Sequence, residues 1–249
     1  GLMLYMKETS PALFEQLAAA YLRIAAHCYQ VELQRVFAAW RQQLGDSARL
    51  KKGGLQREHS MLGPNRGTEV LPWEALQRVF AALVARVQDE QAFLSDLLHI
   101  NDTNVTFADY MDLEPYFRHR AAVTTPIASV SAGGDMRSAL EQVFGSITPE
   151  LDSFVTSVGA SDRVNLVGLL AETERVVRES ASRPSGEFFE HALGKVLTRM
   201  HTEFSRLVDE QISAIEQTKL SVKKRKGIVH FVRAFPALVR RIETQLVDA

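Results

Sequence analysis

Apolar residues recur at three- and four-residue steps over almost the whole chain, the spacing that places them on one face of an α-helix. Between Pro11 and Leu44 the stripe includes Leu13, Phe14, Leu17, Leu33, Phe37 and Trp40. Ser10 followed by Pro11 predicts the start of this helix, a capping residue before a proline at the first helical position. Gly45 predicts its end. The register drifts around Ala18–Ala20 and again at Ala25 and Ala26, which predicts burial on more than one side. A second helix is expected from Pro72 to about His99. Its apolar steps at 73, 76, 80, 83 and 87 approach a heptad seam.

Punctuation separates these stretches. Lys51-Lys52-Gly53-Gly54 and Gly63-Pro64-Asn65-Arg66-Gly67 predict a surface loop over 46–71. Residues 101–104 read as a turn. Phe107, Tyr110, Met111 and Leu113 make a short helical piece that Pro115 stops. The small, polar residues of 126–134 predict a flexible connection, so the chain divides into a helical bundle at 1–125 and a second at 135–249.

In the second bundle, Asp135 is expected to cap a helix carrying Met136, Leu140, Val143 and Phe144. Thr148-Pro149 restarts one that Gly159 ends, and another runs from Asp162 to about Ser180. Ser185 opens the longest helix of this half, with a buried stripe expected from Phe188 through Phe204, Leu207, Val208 and Ile212 to Ile215. Phe231, Phe235, Leu238, Val239 and Ile242 form a last stripe, expected to pack back onto the helix before it. Pro236 falls inside that stripe and either kinks a helix or starts a new one. No strand pattern, repeat or low-complexity tract competes. The predicted class is all-α.

Composition narrows the function. Over 249 residues, 29 Lys and Arg stand against 30 Asp and Glu, a formal net charge of −1. That balance argues against a general nucleic-acid binder. Cys28 is the single cysteine, so no disulfide forms within the chain and a reducing, cytoplasmic setting is expected. The sequons at Asn101 and Asn104 read as chance matches in that setting. No run approaches the ~20 apolar residues of a membrane span. A helical pattern is under way within a dozen residues of Gly1, and the chain reads as a piece of a longer protein.

Candidate chemistry is sparse. The seven histidines fall in no metal-ligand spacing, and His27 beside Cys28 reads as an edge-of-core residue. His191 and His201 lie about 15 Å apart along one helix and cannot share a metal. Gly53-Gly54 and Gly133-Gly134 lack the residues of a phosphate-binding loop, and no nucleophile elbow is present. No metal, cofactor or small-molecule substrate is implied, and an enzyme is disfavoured. The remaining candidate is a basic patch: Lys219, Lys223, Lys224, Arg225, Lys226 and Arg233.

Three readings of that patch stay open. Residues 223–226 would suit the last turn of the long helix, where the macrodipole favours cations and Gly227 supplies a left-handed stop. Beside Ile228, Phe231 and Phe235 they would equally suit an acidic protein surface or anionic lipid, a contact weakened by salt. A nuclear-localisation signal is the third.

The second half resembles the C-terminal region of the exocyst Sec-three subunit, in its fungal form. Three segments carry the resemblance. The first is Met136-Arg137-Ser138-Ala139-Leu140-Glu141-Gln142-Val143-Phe144 with Ile147-Thr148-Pro149-Glu150-Leu151. The second is Gly168-Leu169-Leu170-Ala171-Glu172-Thr173-Glu174-Arg175. The third runs from Phe204 to Pro236 and includes Val208-Asp209-Glu210-Gln211-Ile212. The resemblance covers about residues 135–243, and Phe107-Ala108-Asp109-Tyr110-Met111 fits the same family.

It implies an elongated rod of stacked helical bundles, as in multisubunit tethering complexes. It also implies a non-enzymatic scaffold that helps tether secretory vesicles to the plasma membrane before fusion, with other exocyst subunits as partners. The location implied is cytoplasmic and peripheral, at plasma-membrane sites of secretion. The family's phosphoinositide-binding, Rho-binding and coiled-coil regions precede this part of the protein and are not carried over. The alternative is a membrane-surface binding module using residues 219–233.

Overall fold

The computed structural model describes residues 1–54, 70–99, 106–111, 136–217 and 230–247. Among them every regular element is helical: α1 (Leu2–Thr9), α2 (Pro11–Gly54), α3 (Pro72–Leu98), α4 (Phe107–Tyr110), α5 (Met136–Phe144), α6 (Ile147–Ser161), a 3-10 turn (Arg163–Asn165), α7 (Leu166–Ser180), α8 (Gly186–Glu216) and α9 (His230–Val247). The all-α class holds.

Helix boundaries show where local signals were overridden. Pro11 opens α2 as expected, but the helix continues through Gly45 to Gly54. Nothing lies within 4 Å of where a Cβ on Gly45 would sit. A glycine inside a helix costs only about 1 kcal/mol relative to alanine, too little to end a helix of 44 residues. Part of the expected loop at 46–71 is therefore helix, and residues 55–69 lie outside the described residues. Gly159 likewise fails to stop α6, which runs on to Ser161. α1 was not apparent from the pattern. At the end of α3, His99 has a φ of 48°, a left-handed residue just past the last turn. Its carbonyl accepts a hydrogen bond from Lys7 Nζ at 3.2 Å.

By internal packing the chain forms two compact units. The first takes residues Gly1–Leu33 and Ala82–Ile147. Leu4, Phe14, Val87, Leu94, Leu140 and Phe144 are among its buried side chains. Tyr29 packs on Phe144 with ring centroids 4.4 Å apart, and Tyr5 meets Phe107 edge-on at 5.3 Å.

The second unit takes Gln34–Ala81 and Thr148–Ala249. Phe37, Leu76, Phe154, Leu169, Phe189 and Met200 are among its buried side chains, with Phe37 and Phe154 5.5 Å apart. α7 packs against both α8 and α9. Asp162 sets the turn before α7, its Oδ1 accepting from the Val164 amide at 3.1 Å while Oδ2 pairs with Arg241 of α9. α9 thus docks on α7 and the 3-10 turn, where the stripe pattern had placed it on the long helix. Pro236 lies inside α9, so it does not start a new helix. Phe235, expected in the core, is 56% exposed.

Candidate interaction surface

The basic patch read from the sequence lies largely outside the described residues: Lys219, Lys223, Lys224, Arg225 and Lys226 all do, and Arg233 is described only as part of α9. α8 ends at Glu216 with Gln217 as its cap, and the reading of 223–226 as a last helical turn falls outside the described residues.

Buried polar groups supply the geometry that positions the rest. Glu90 occupies the next seam step of α3 after Val87, where an apolar residue would be routine, and it is 6% exposed. Its two oxygens accept hydrogen bonds from two phenols of α2, Tyr21 Oη at 2.6 Å and Tyr29 Oη at 2.9 Å. Burial, then the hydrogen bond to Glu90 and its charge, hold both phenols well above the ordinary tyrosine range. The spacing of eight residues between the tyrosines, about two turns, and a glutamate in an apolar seam were the sequence signals for this clamp.

In the second unit, Glu172 is 1% exposed. Arg175, one turn further along α7, grips it with a fork: Nε donates to Oε2 at 2.9 Å and Nη2 to Oε1. The hydrogen bond to Glu172 raises the arginine's own proton affinity first, with Glu179 adding to it. Gly168 does two jobs. Its amide is one of the free donors at the start of α7, and the buried Gln245 of α9 accepts it through Oε1 at 2.9 Å. On its other side the Trp73 ring lies 2.9 Å from where a Cβ would be, so only glycine fits. The second segment of the family resemblance therefore acts largely inside the fold.

Outside the core, ion pairs tie the helices of the second unit. Arg41 donates to Ser153 at 2.6 Å and lies 3.6 Å from Glu150. Arg199 pairs with Asp152, and His201 Nε2 meets Glu174 at 2.9 Å. Arg163 pairs with Glu210, which lies on α8. That hydrogen bond pulls the Glu210 carboxyl below its usual range and pushes the guanidinium up.

The long stripe of α8 is not buried throughout. Phe188, Phe189, Leu193, Val196, Met200 and Leu207 are buried, whereas Val208 is 39% and Ile212 49% exposed, with Phe204 and Ile215 half-buried. The expectation that the stripe is core to its end is corrected for its last three turns. An α-helix advances 100° per residue, and the late apolar residues stand on an arc beside the face covered by α7. This is an apolar surface presented to solvent at a helix end, a geometry suited to receiving another protein rather than to bond-making chemistry. Among the described residues no group of His, Cys, Asp and Glu is placed to hold a metal, and no helix is long and apolar enough to cross a membrane. Cys28 is free and exposed.

Comparison with known proteins agrees with the resemblance. The family described as "Exocyst complex component Sec3, C-terminal" matches residues 97–249. Mouse "Exocyst complex component 1" is 26% identical over 165 residues, covering 64% of this chain. The chain spans 18% of that relative's length. No solved structure matches the chain.

Proposed function

The chain belongs to the exocyst Sec3 C-terminal family, and from that membership we propose that it is a non-catalytic helical scaffold of an exocyst subunit. In this reading it serves the tethering of secretory vesicles to the plasma membrane through contacts with other subunits, and works in the cytoplasm at sites of secretion. The observation that carries the reading is the family match over residues 97–249. The all-α build and the solvent-facing apolar end of α8 support it.

Its mechanism is geometric. Buried anchors such as Gly168–Gln245 and Glu90 with Tyr21 and Tyr29 hold helix surfaces in fixed positions, and those surfaces dock partners. The proposal includes bundles stacked as a rod. Small-angle X-ray scattering tests that part, the expected result being a radius of gyration well above the roughly 18 Å of a compact chain of this length. Lys219, Lys223, Lys224, Arg225, Lys226 and Arg233 are proposed as a secondary contact for an acidic protein surface. In that case Lys223→Glu with Arg225→Glu weakens subunit binding, while anionic vesicles retain no more of the wild-type chain than neutral ones.

The principal test mixes the purified chain with purified exocyst subunits and follows size-exclusion chromatography at physiological salt. Co-elution in fixed stoichiometry is expected. Elution of the chain alone at micromolar concentrations of every subunit overturns the scaffold reading.

A further inference from the structure

The late face of α8 has a charge pattern that selects its occupant. Phe204, Val208, Ile212 and Ile215 stand at steps of four, four and three, within about 80° of arc on the helix. Asp209 and Glu216, seven residues apart, fall on one flank two turns from each other. Neither has a hydrogen bond or ion pair with a described residue. The other carboxylates of this stretch, Glu203 and Glu210, stand on the opposite side of the helix, where Arg163 and Arg206 pair with them, so the flank of the apolar crest carries Asp209 and Glu216. The neighbouring His201 already faces Glu174 at 2.9 Å. The face is therefore apolar along its crest and negative along its edge.

We propose that this face docks an amphipathic α-helix of a partner protein whose apolar stripe is flanked by Lys or Arg. Two apolar helix stripes at three-four spacing interdigitate as knobs and holes, and opposite charges beside the seam set partner choice and orientation. A membrane surface is the wrong occupant by sign, because anionic lipid repels an acidic edge and attracts basic ones. The inference rests on the scaffold reading and specifies the chemistry of one partner.

The test uses the whole chain and two labelled peptides, each helical with a leucine seam, one flanked by lysines and the other by glutamates. Fluorescence anisotropy at physiological salt should show binding of the lysine-flanked peptide. Val208→Gln with Ile212→Gln changes only exposed positions, keeps the circular dichroism and melting temperature, and should weaken that peptide by about ten-fold or more. Asp209→Lys with Glu216→Lys should reverse the preference toward the glutamate-flanked peptide.

Equal binding of both peptides, binding of neither, or no effect of the Gln pair overturns the proposal. So does sedimentation showing a self-dimer that the Gln pair dissolves, which would make a second copy the occupant. Vesicle binding lost in the same variant overturns it in favour of lipid. If the Gln pair enters the exocyst complex as well as wild type does, the docking face is wrong and the scaffold reading stands. If wild type fails to enter the complex yet keeps the peptide preference, the scaffold reading falls and the docking face survives.

Discussion

Glu90 and Glu172 are both carboxylates sunk in apolar surroundings, and the two are held in opposite ways. Glu90 is satisfied by neutral donors from a different helix, Tyr21 and Tyr29, 69 and 61 residues away in sequence. Glu172 is satisfied by a cation one turn along its own helix, Arg175. The first arrangement fastens α2 to α3 and specifies their register. The second neutralises a buried charge locally and fastens nothing else, apart from the relay to Glu179 at 2.8 Å. A buried glutamate is thus a tertiary clasp in one place and a self-contained ion pair in the other. Sequence distance to the donor tells which.

The sharpest way to break this contrast is to remove the donors. Arg175→Ala leaves Glu172 charged and buried with its cation gone, and should cost about 3 kcal/mol in urea unfolding. Adding Glu172→Leu in the same chain should recover most of that loss, because the unpaired charge goes with it. If the double variant is no more stable than Arg175→Ala, the pair is not a self-contained unit.

Glu90→Ala should cost about 2 kcal/mol by leaving two hydroxyls short of their acceptor. No neighbouring substitution on α3 should restore it. Tyr21→Phe and Tyr29→Phe should each cost about 1 kcal/mol in the wild-type chain and much less in the Glu90→Ala background, since the three groups form one network.

The two clasps also separate with pH. The folded chain holds Tyr21 and Tyr29 protonated beyond the usual phenol range, whereas the unfolded chain releases those protons near pH 10. The stability they contribute is therefore complete below about pH 10 and declines as pH rises toward their folded values. Absorbance at the phenolate band should show these two tyrosines ionising after the others. Glu90→Gln should bring them earlier, and a single titration step for all tyrosines would contradict the clamp.

The smallest effect belongs to Glu210, an exposed carboxyl pulled down by Arg163. Its contribution is present above roughly pH 4.3 and is lost as pH falls through its lowered folded value. The acid melting profile of Glu210→Gln should merge with that of wild type at the low end. Persistent separation there would mean that the residue acts through something other than its charge.

The helical class, most helix starts and the core stripes of α3, α5, α6 and the first half of α8 were readable from apolar spacing alone. Each is a long, regular signal backed by its neighbours. What escaped had weaker local grounds. Gly45 and Gly159 read as stops in the sequence, yet the cost of glycine in a helix is small beside the packing gained by continuing it. Val208 and Ile212 carry the same spacing as the buried Met200 and Leu207, and spacing cannot say whether a neighbour exists to cover a residue. Glu90 was legible as an anomaly in the seam, but its partners sit on another helix and no single-helix pattern names them. Of the candidate basic patch, charge density was readable and geometry was not.

The placement of Trp73 against Gly168 has a practical consequence. Both tryptophans, Trp40 under Arg78 at 5.9 Å and Trp73, fall in the second unit, while all five tyrosines fall within the residue ranges of the first. Indole emission therefore follows the melting of one unit and phenol absorbance that of the other. The chain carries two optical thermometers, and a single heated cuvette reports whether the units come apart together or in turn.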